Sequence, residues 1–135
     1  MEKPEPFVVH VVDDDEAVRD SMRALLESYD IEVRDYASAG EFLAGQPSNH
    51  GCVLLDLHMP GMSGLELLET LQDQGSNLSV IAITGRGDSA LKERTVRAGA
   101  VTLLNKPVTD DRLIATLARA FALSRARARA VSRDR

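Results

Sequence analysis

Six side chains stand where short apolar runs give way to polar sequence, and their types are those of cation and phosphate chemistry. Asp13, Asp14 and Asp15 follow Phe7-Val8-Val9-His10-Val11-Val12, Asp56 follows Cys52-Val53-Leu54-Leu55, Thr84 ends the run from Leu78, and Lys106 comes just after Ala100 to Leu104. Carboxylates gathered in one place repel one another, and a buried charge needs a partner or a metal. An all-oxygen donor set with room for water suits a hard ion such as Mg²⁺, which takes one or two carboxylates and then phosphate oxygens. With the ion shared between Asp13 or Asp14 and Asp56, the Asp56 carboxylate can attack a phosphoryl donor and form an aspartyl-phosphate. Lys106 offers a point charge to phosphoryl oxygens and Thr84 a hydroxyl donor. Catalysis would then consist of positioning and charge stabilisation.

These residues need a frame that brings them together, and the periodicities supply one. Phe7–Val12 is a valine-rich apolar run interrupted only by His10, and Cys52–Leu55 is apolar throughout, as expected of strands buried on both faces. Ile31 to Tyr36 alternates, as a strand nearer an edge would. Leu78–Thr84 and Ala100–Leu104 read as the fourth and fifth strands. Between them, Val18, Met22, Leu25 and Leu26 recur at helical spacing from Asp15 to about Tyr29, and Leu67, Leu68 and Leu71 do so after Ser63. Ser38-Ala39-Gly40-Glu41 and Ser63-Gly64-Leu65-Glu66 have the form of capping boxes. Asp88 can cap a helix to about Ala98, which Gly99 ends, and Thr109 or Asp110 can cap a last helix through Leu113, Leu117 and Ala120. Five strand–helix units in succession predict a doubly wound parallel sheet with helices on both faces. Ligands of such sheets bind beyond the carboxyl ends of the strands, where the six residues fall.

The 135 residues suit one domain with one real core. The first six residues read as a polar lead without the basic start of a signal peptide, no run of about 18 apolar residues suggests a membrane span, and the single cysteine cannot form an internal disulfide; a cytoplasmic, reducing compartment fits. Residues 1–118 carry a net charge of −10 and residues 119–135 a net charge of +5. An acidic body is unlike a nucleic-acid binder. The Arg-Ala alternation of residues 125–130 has helical propensity but no apolar stripe, so residues 123–135 read as a solvated helix extension or linker rather than a contact for DNA or an acidic partner.

Val11-Val12-Asp13-Asp14-Asp15, Leu54-Leu55-Asp56-Leu57-His58-Met59-Pro60-Gly61-Met62-Ser63-Gly64, Ile83-Thr84-Gly85 and Lys106-Pro107 together resemble the receiver domain of two-component response regulators. The resemblance covers residues 7–122. Ile83-Thr84-Gly85-Arg86-Gly87-Asp88 and Ala98-Gly99-Ala100-Val101 are similar to receivers joined to a LuxR-type helix-turn-helix output domain. It implies a flavodoxin-like sheet of order 2-1-3-4-5 in a three-layer sandwich. By the same resemblance Asp56 is the phosphoacceptor, and Mg²⁺ is held by Asp13, Asp14, Asp56 and the backbone carbonyl of His58. Asp14 is favoured as a direct ligand and Asp13 as one acting through water. Thr84 and Lys106 contact the phosphoryl group, and the Lys106-Pro107 peptide is cis. The implied partners are a histidine kinase, a second copy of the chain through helix 4, strand 5 and helix 5, and a downstream DNA-binding domain. The implied role is phosphorelay signalling that regulates transcription. The alternative is a free-standing receiver acting by protein–protein contact. The domain would be a phosphoacceptor that assists its own phosphorylation and dephosphorylation, not an enzyme in its own right.

One position departs from the family. An aromatic ring usually stands three residues before the lysine, where this chain has Leu103, so the resemblance extends to phosphorylation but not to signalling by a ring swing. His58 and Arg86 lie two residues beyond Asp56 and Thr84, where they can flank a phosphoryl group. Asp15 serves equally well as a third acidic ligand or as the N-cap of helix 1. His10 and Cys52 read as packed strand residues, and His50 as solvated. An aspartyl-phosphate phosphatase or phosphotransferase commonly has an Asp-x-Asp at the nucleophile and a large cap insertion, whereas here Asp56 is followed by Leu57-His58 and there is no room for a cap. A flavodoxin-like redox or nucleotide-binding module would want a glycine-rich phosphate loop where Asp13-Asp14-Asp15 stand.

Overall fold

The computed structural model describes residues 7–45, 51–85 and 89–133. His50, Arg86 and Asp88 lie outside them. The elements follow in strict alternation: β1 (Val8–Val12), α1 (Glu16–Ser28), β2 (Glu32–Tyr36), α2 (Ala39–Ala44), β3 (Cys52–Asp56), α3 (Gly64–Asp73), β4 (Ser79–Thr84), α4 (Ser89–Arg97), β5 (Thr102–Asn105) and α5 (Asp110–Arg133). All the strand pairs are parallel, and the sheet order is β2-β1-β3-β4-β5. Every residue of β1, β3 and β4 is buried; most are apolar, as strands covered on both faces require, and the exceptions are His10, Asp56, Ser79 and Thr84. The edge strand β2 alternates more, with Val33 buried and Glu32 and Arg34 exposed.

Side chains alternate across the sheet and build two cores. Val12, Val53, Leu55 and Val80 meet Phe42 of α2 and Leu67, Leu68 and Leu71 around α3 on one face. Val9, Val11, Leu54, Ile81, Ile83 and Leu104 meet Leu26 of α1 and Leu113, Leu117 and Ala120 of α5 on the other. Each fully buried side chain of this size contributes about 2 kcal/mol.

The caps set where the helices start. Asp15 accepts from the amides of Ala17 and Val18, which settles its role as the α1 N-cap. The Ser63–Glu66 capping box is complete. At Ser38 only half of the expected box forms: Ser38 accepts from the Glu41 amide, but the Glu41 carboxylate reaches one residue further back, to the amide of Ala37 at 2.6 Å. Of the two candidates for α5, Thr109 is the cap, accepting from the Arg112 amide.

One boundary differs from the pattern-based expectation. Strand β5 starts at Thr102, not Ala100, because Gly99 at φ +100° ends α4 and the Ala100 amide still bonds back to the Thr95 carbonyl. Helix α5 runs unbroken across residue 122 to Arg133. Among the described residues no helix is long and apolar enough to cross a membrane.

Candidate functional site

The carboxyl ends of β1, β3, β4 and β5 deliver the six residues to one edge of the sheet. Asp13 and Asp56 are buried, at 3% and 4% exposure, whereas Asp14 is exposed. One carboxylate oxygen from each of Asp13, Asp14 and Asp56 lies within 4.8 Å of the others. Asp15 turns away into its cap, so the acidic set is three residues and not four.

The two oxygens of Asp56 have different surroundings. Oδ1 accepts from the backbone N–H of His58 at 3.0 Å. Oδ2 faces the Lys106 ammonium at 3.8 Å, too long for a hydrogen bond but close enough for charge to be felt. The loop after β3 holds its place partly through Gly64, the first residue of α3. A Cβ there would lie 2.3 Å from the Asp56 carbonyl oxygen, so the helix can approach Asp56 this closely only with glycine.

Asp13 uses one carboxylate oxygen to accept from the Asp15 amide at 2.9 Å. Burial pushes its carboxyl group above the usual range, and the nearby Asp56 carboxylate adds to this; the Asp15 amide opposes it. A buried acid in that condition gains from a cation beside it. The three clustered carboxylates are hard oxygen donors, so the residues present fit a hard divalent ion.

Thr84 is buried at the end of β4, and its hydroxyl lies 3.0 Å from Nε2 of His58. Its carbonyl accepts from the Lys106 amide at 2.8 Å, which ties β5 and the lysine to the same edge. The Lys106-Pro107 peptide is cis. Leu103 is half-buried on β5, in register with Ala82.

Residues 9–118 match the response regulator receiver domain family. The chain is a response-regulator receiver domain. The receiver is 46% identical to the transcriptional regulatory protein FixJ of Azorhizobium caulinodans over 115 residues, 84% of this chain and 54% of that protein. It is 40% identical to the transcriptional regulatory protein TdiR of Thauera aromatica, over 87% of this chain and 52% of the relative. It thus spans about half the length of the curated relatives it matches. Among solved structures it superposes on the response regulator StyR with a TM-score of 0.89 at 36% identity, covering 96% of this chain and 66% of that one. On the crystal structure of FixJ-N the TM-score is 0.80 at 38% identity, covering 88% and 96%.

Sequence reasoning missed Arg19 in this receiver. Its guanidinium, 14% exposed, donates to the Asp13 backbone carbonyl at 2.7 Å and to Asp35 Oδ2 at 3.3 Å. Arg23, one turn on, reaches Asp35 Oδ1 at 2.5 Å. The available signal was the i, i+4 pair of arginines on the helix that packs beside β2. His10 and Cys52 are the packed residues expected. His10 Nδ1 and the Tyr36 hydroxyl lie 3.1 Å apart, and burial pushes the Cys52 thiol far up.

Proposed function

We propose that Asp56 accepts a phosphoryl group from a histidine kinase, with Mg²⁺ held by Asp13, Asp14, Asp56 and the His58 carbonyl. The observation that supports this most is Asp56 itself: a buried carboxylate with one oxygen anchored and the other turned to Lys106, beside two more carboxylates. The Asp56 oxygen forms a bond to phosphorus, and the bond from phosphorus to the donor breaks, its electron pair leaving with the donor. The His58 N–H orients the nucleophile, and the Lys106 ammonium and Thr84 hydroxyl meet charge on the phosphoryl oxygens. A bound Mg²⁺ would supply charge neutralisation at the same place.

A cavity of about 590 Å³ between α1 and α5, lined by Val18, Met22, Leu25, Pro107 and Leu113, has Lys106 on its rim. It offers a donor protein an apolar surface beside the site. Movement of Thr84 and Lys106 toward the phosphoryl group would bias α4, β5 and α5, the surface assigned to self-association. Residues 123–135 act as an extension or linker toward a DNA-binding output, so that the whole protein regulates transcription in the cytoplasm. The domain assists its own phosphorylation and dephosphorylation.

Incubation with acetyl phosphate and Mg²⁺ should add the mass of one phosphoryl group to the parent and none to Asp56→Asn. A gain that persists in the variant rejects Asp56 as the acceptor.

A further inference from the structure

One residue touches both halves of the phosphorylation site. The backbone N–H of His58 bonds Asp56 Oδ1 at 3.0 Å, and its imidazole Nε2 bonds the Thr84 hydroxyl, also at 3.0 Å. The two contacts join β3 to β4 through a single loop residue. We infer that His58 is a positioning residue that latches the Thr84 hydroxyl in the resting domain and yields when Asp56 is phosphorylated. The inference rests on the roles proposed above for Asp56 and Thr84.

As a carboxylate, Asp56 accepts at Oδ1 a charge-assisted hydrogen bond from the His58 amide, about twice the strength of a neutral one. Converting the carboxylate to an acyl phosphate removes that charge and weakens the grip on the His58 backbone. The imidazole is carried on the same residue, so the Thr84 contact is loosened by the chemistry it must answer. Thr84 has one hydroxyl, and its oxygen cannot move toward a phosphoryl group while keeping the present distance and direction to Nε2. Breaking the latch is therefore part of the cost of the active arrangement, and a ligand favours that arrangement only by its differential interaction with the two states.

His58 is exposed, so shortening its side chain leaves both cores and the backbone contact to Asp56 in place. The test uses beryllofluoride with Mg²⁺ as the phosphoryl mimic and follows the Thr84 methyl signal by NMR. His58→Ala should reach half-conversion at a beryllofluoride concentration about three- to tenfold lower than the parent, the range a neutral hydrogen bond is worth. His58→Gln, which can still reach a hydroxyl, should fall between them. In a Thr84→Val background, where the probe becomes the valine methyls, removing His58 should give no further gain. A His58→Ala midpoint equal to or above the parent's overturns the latch, as does an undiminished gain in the Thr84→Val background. A parent that takes up neither beryllofluoride nor a phosphoryl group overturns the reading of the site and the latch with it.

Discussion

Two carboxylate sites lie close together at the β1–β2 side of the sheet, built from the same residue type and fated differently. Asp35 on β2 is held by Arg19 and Arg23, and the Arg23 hydrogen bond keeps its carboxyl group below the usual range. Asp13, one strand away, is almost fully buried and pushed the other way by desolvation, while Asp56 has Lys106 at 3.8 Å. The sites even share a residue, since Arg19 bonds the Asp35 carboxylate and the Asp13 backbone carbonyl but leaves the Asp13 carboxylate to others. An acid whose charge is already matched by guanidinium groups is structural. An acid left buried beside other acids is one that a cation would stabilise. What separates a functional carboxylate from a structural one is therefore its partners, and a count of acidic residues does not reveal them.

The largest effect is expected from taking the under-neutralised site apart. The double variant Asp13→Asn, Asp14→Ala should show no Mg²⁺ binding at millimolar concentrations and should slow phosphorylation by acetyl phosphate. In the absence of metal it should be more stable than the parent by a few degrees in melting temperature, because clustered like charges oppose folding. The gain should come mainly from Asp13, which is buried, and less from Asp14, which is exposed. Retained Mg²⁺ binding by calorimetric titration would break the contrast between the two sites.

A second effect tests whether the contrast extends to a buried base. His10 sits in β1 against Tyr36 and Phe42, with Nε2 buried and without a hydrogen-bond partner. Burial, with Arg34 adding to it, lowers its pKa from 6.5 to about 4. The unfolded chain therefore binds this proton more readily than the folded one, so stability is full above about pH 6.5 and falls as pH drops toward 4. The loss from this group should approach about 3 kcal/mol by pH 4. Urea unfolding at pH 7 and pH 5 should show a smaller drop for His10→Gln than for the parent. Equal drops would mean that His10 does not titrate as its burial requires.

Much of this was legible in the sequence, and the rest was hidden for physical reasons. The buried strands announced themselves because a strand covered on both faces is apolar at nearly every position, without the alternation of a half-exposed one. The residues gathered at the carboxyl edge of the sheet stood out because most of them come at or just after the end of such a run. Strand β5 was misplaced by two residues because Ala100 and Val101 are apolar like a strand, while their backbone groups complete the end of α4 and a cross-link to Val80. The Asp35 clamp was invisible because Arg19, Arg23 and Asp35 come from two elements, and exposed helix arginines usually signify only a solvated face. The His58–Thr84 contact joins residues 26 apart and depends on a side-chain direction that no local pattern encodes.

The smallest effect concerns the matched site and its link to the other. Asp35→Asn keeps the shape and removes the charge that Arg19 and Arg23 share. The carboxylate side chain is 28% exposed and Arg19 14%, so the pair is partly shielded from water and worth more than a surface ion pair, about 1 to 2 kcal/mol. Because the folded-state pKa of Asp35 is lowered, this contribution is present above about pH 4 and is lost as pH falls through the folded value. The variant should be less stable than the parent at pH 7 and should converge on it in strong acid. Its Mg²⁺ affinity should change by less than about threefold, a shift worth under 1 kcal/mol, because Arg19 reaches Asp13 only through the backbone carbonyl and the three clustered carboxylates remain. A large loss of metal affinity in Asp35→Asn would show that the two sites work as one, with Arg19 setting the direction of the Asp13 carboxylate. A variant as stable as the parent at pH 7 would show that solvent already screens the clamp. Either result would redraw the line between the matched and the under-neutralised acids.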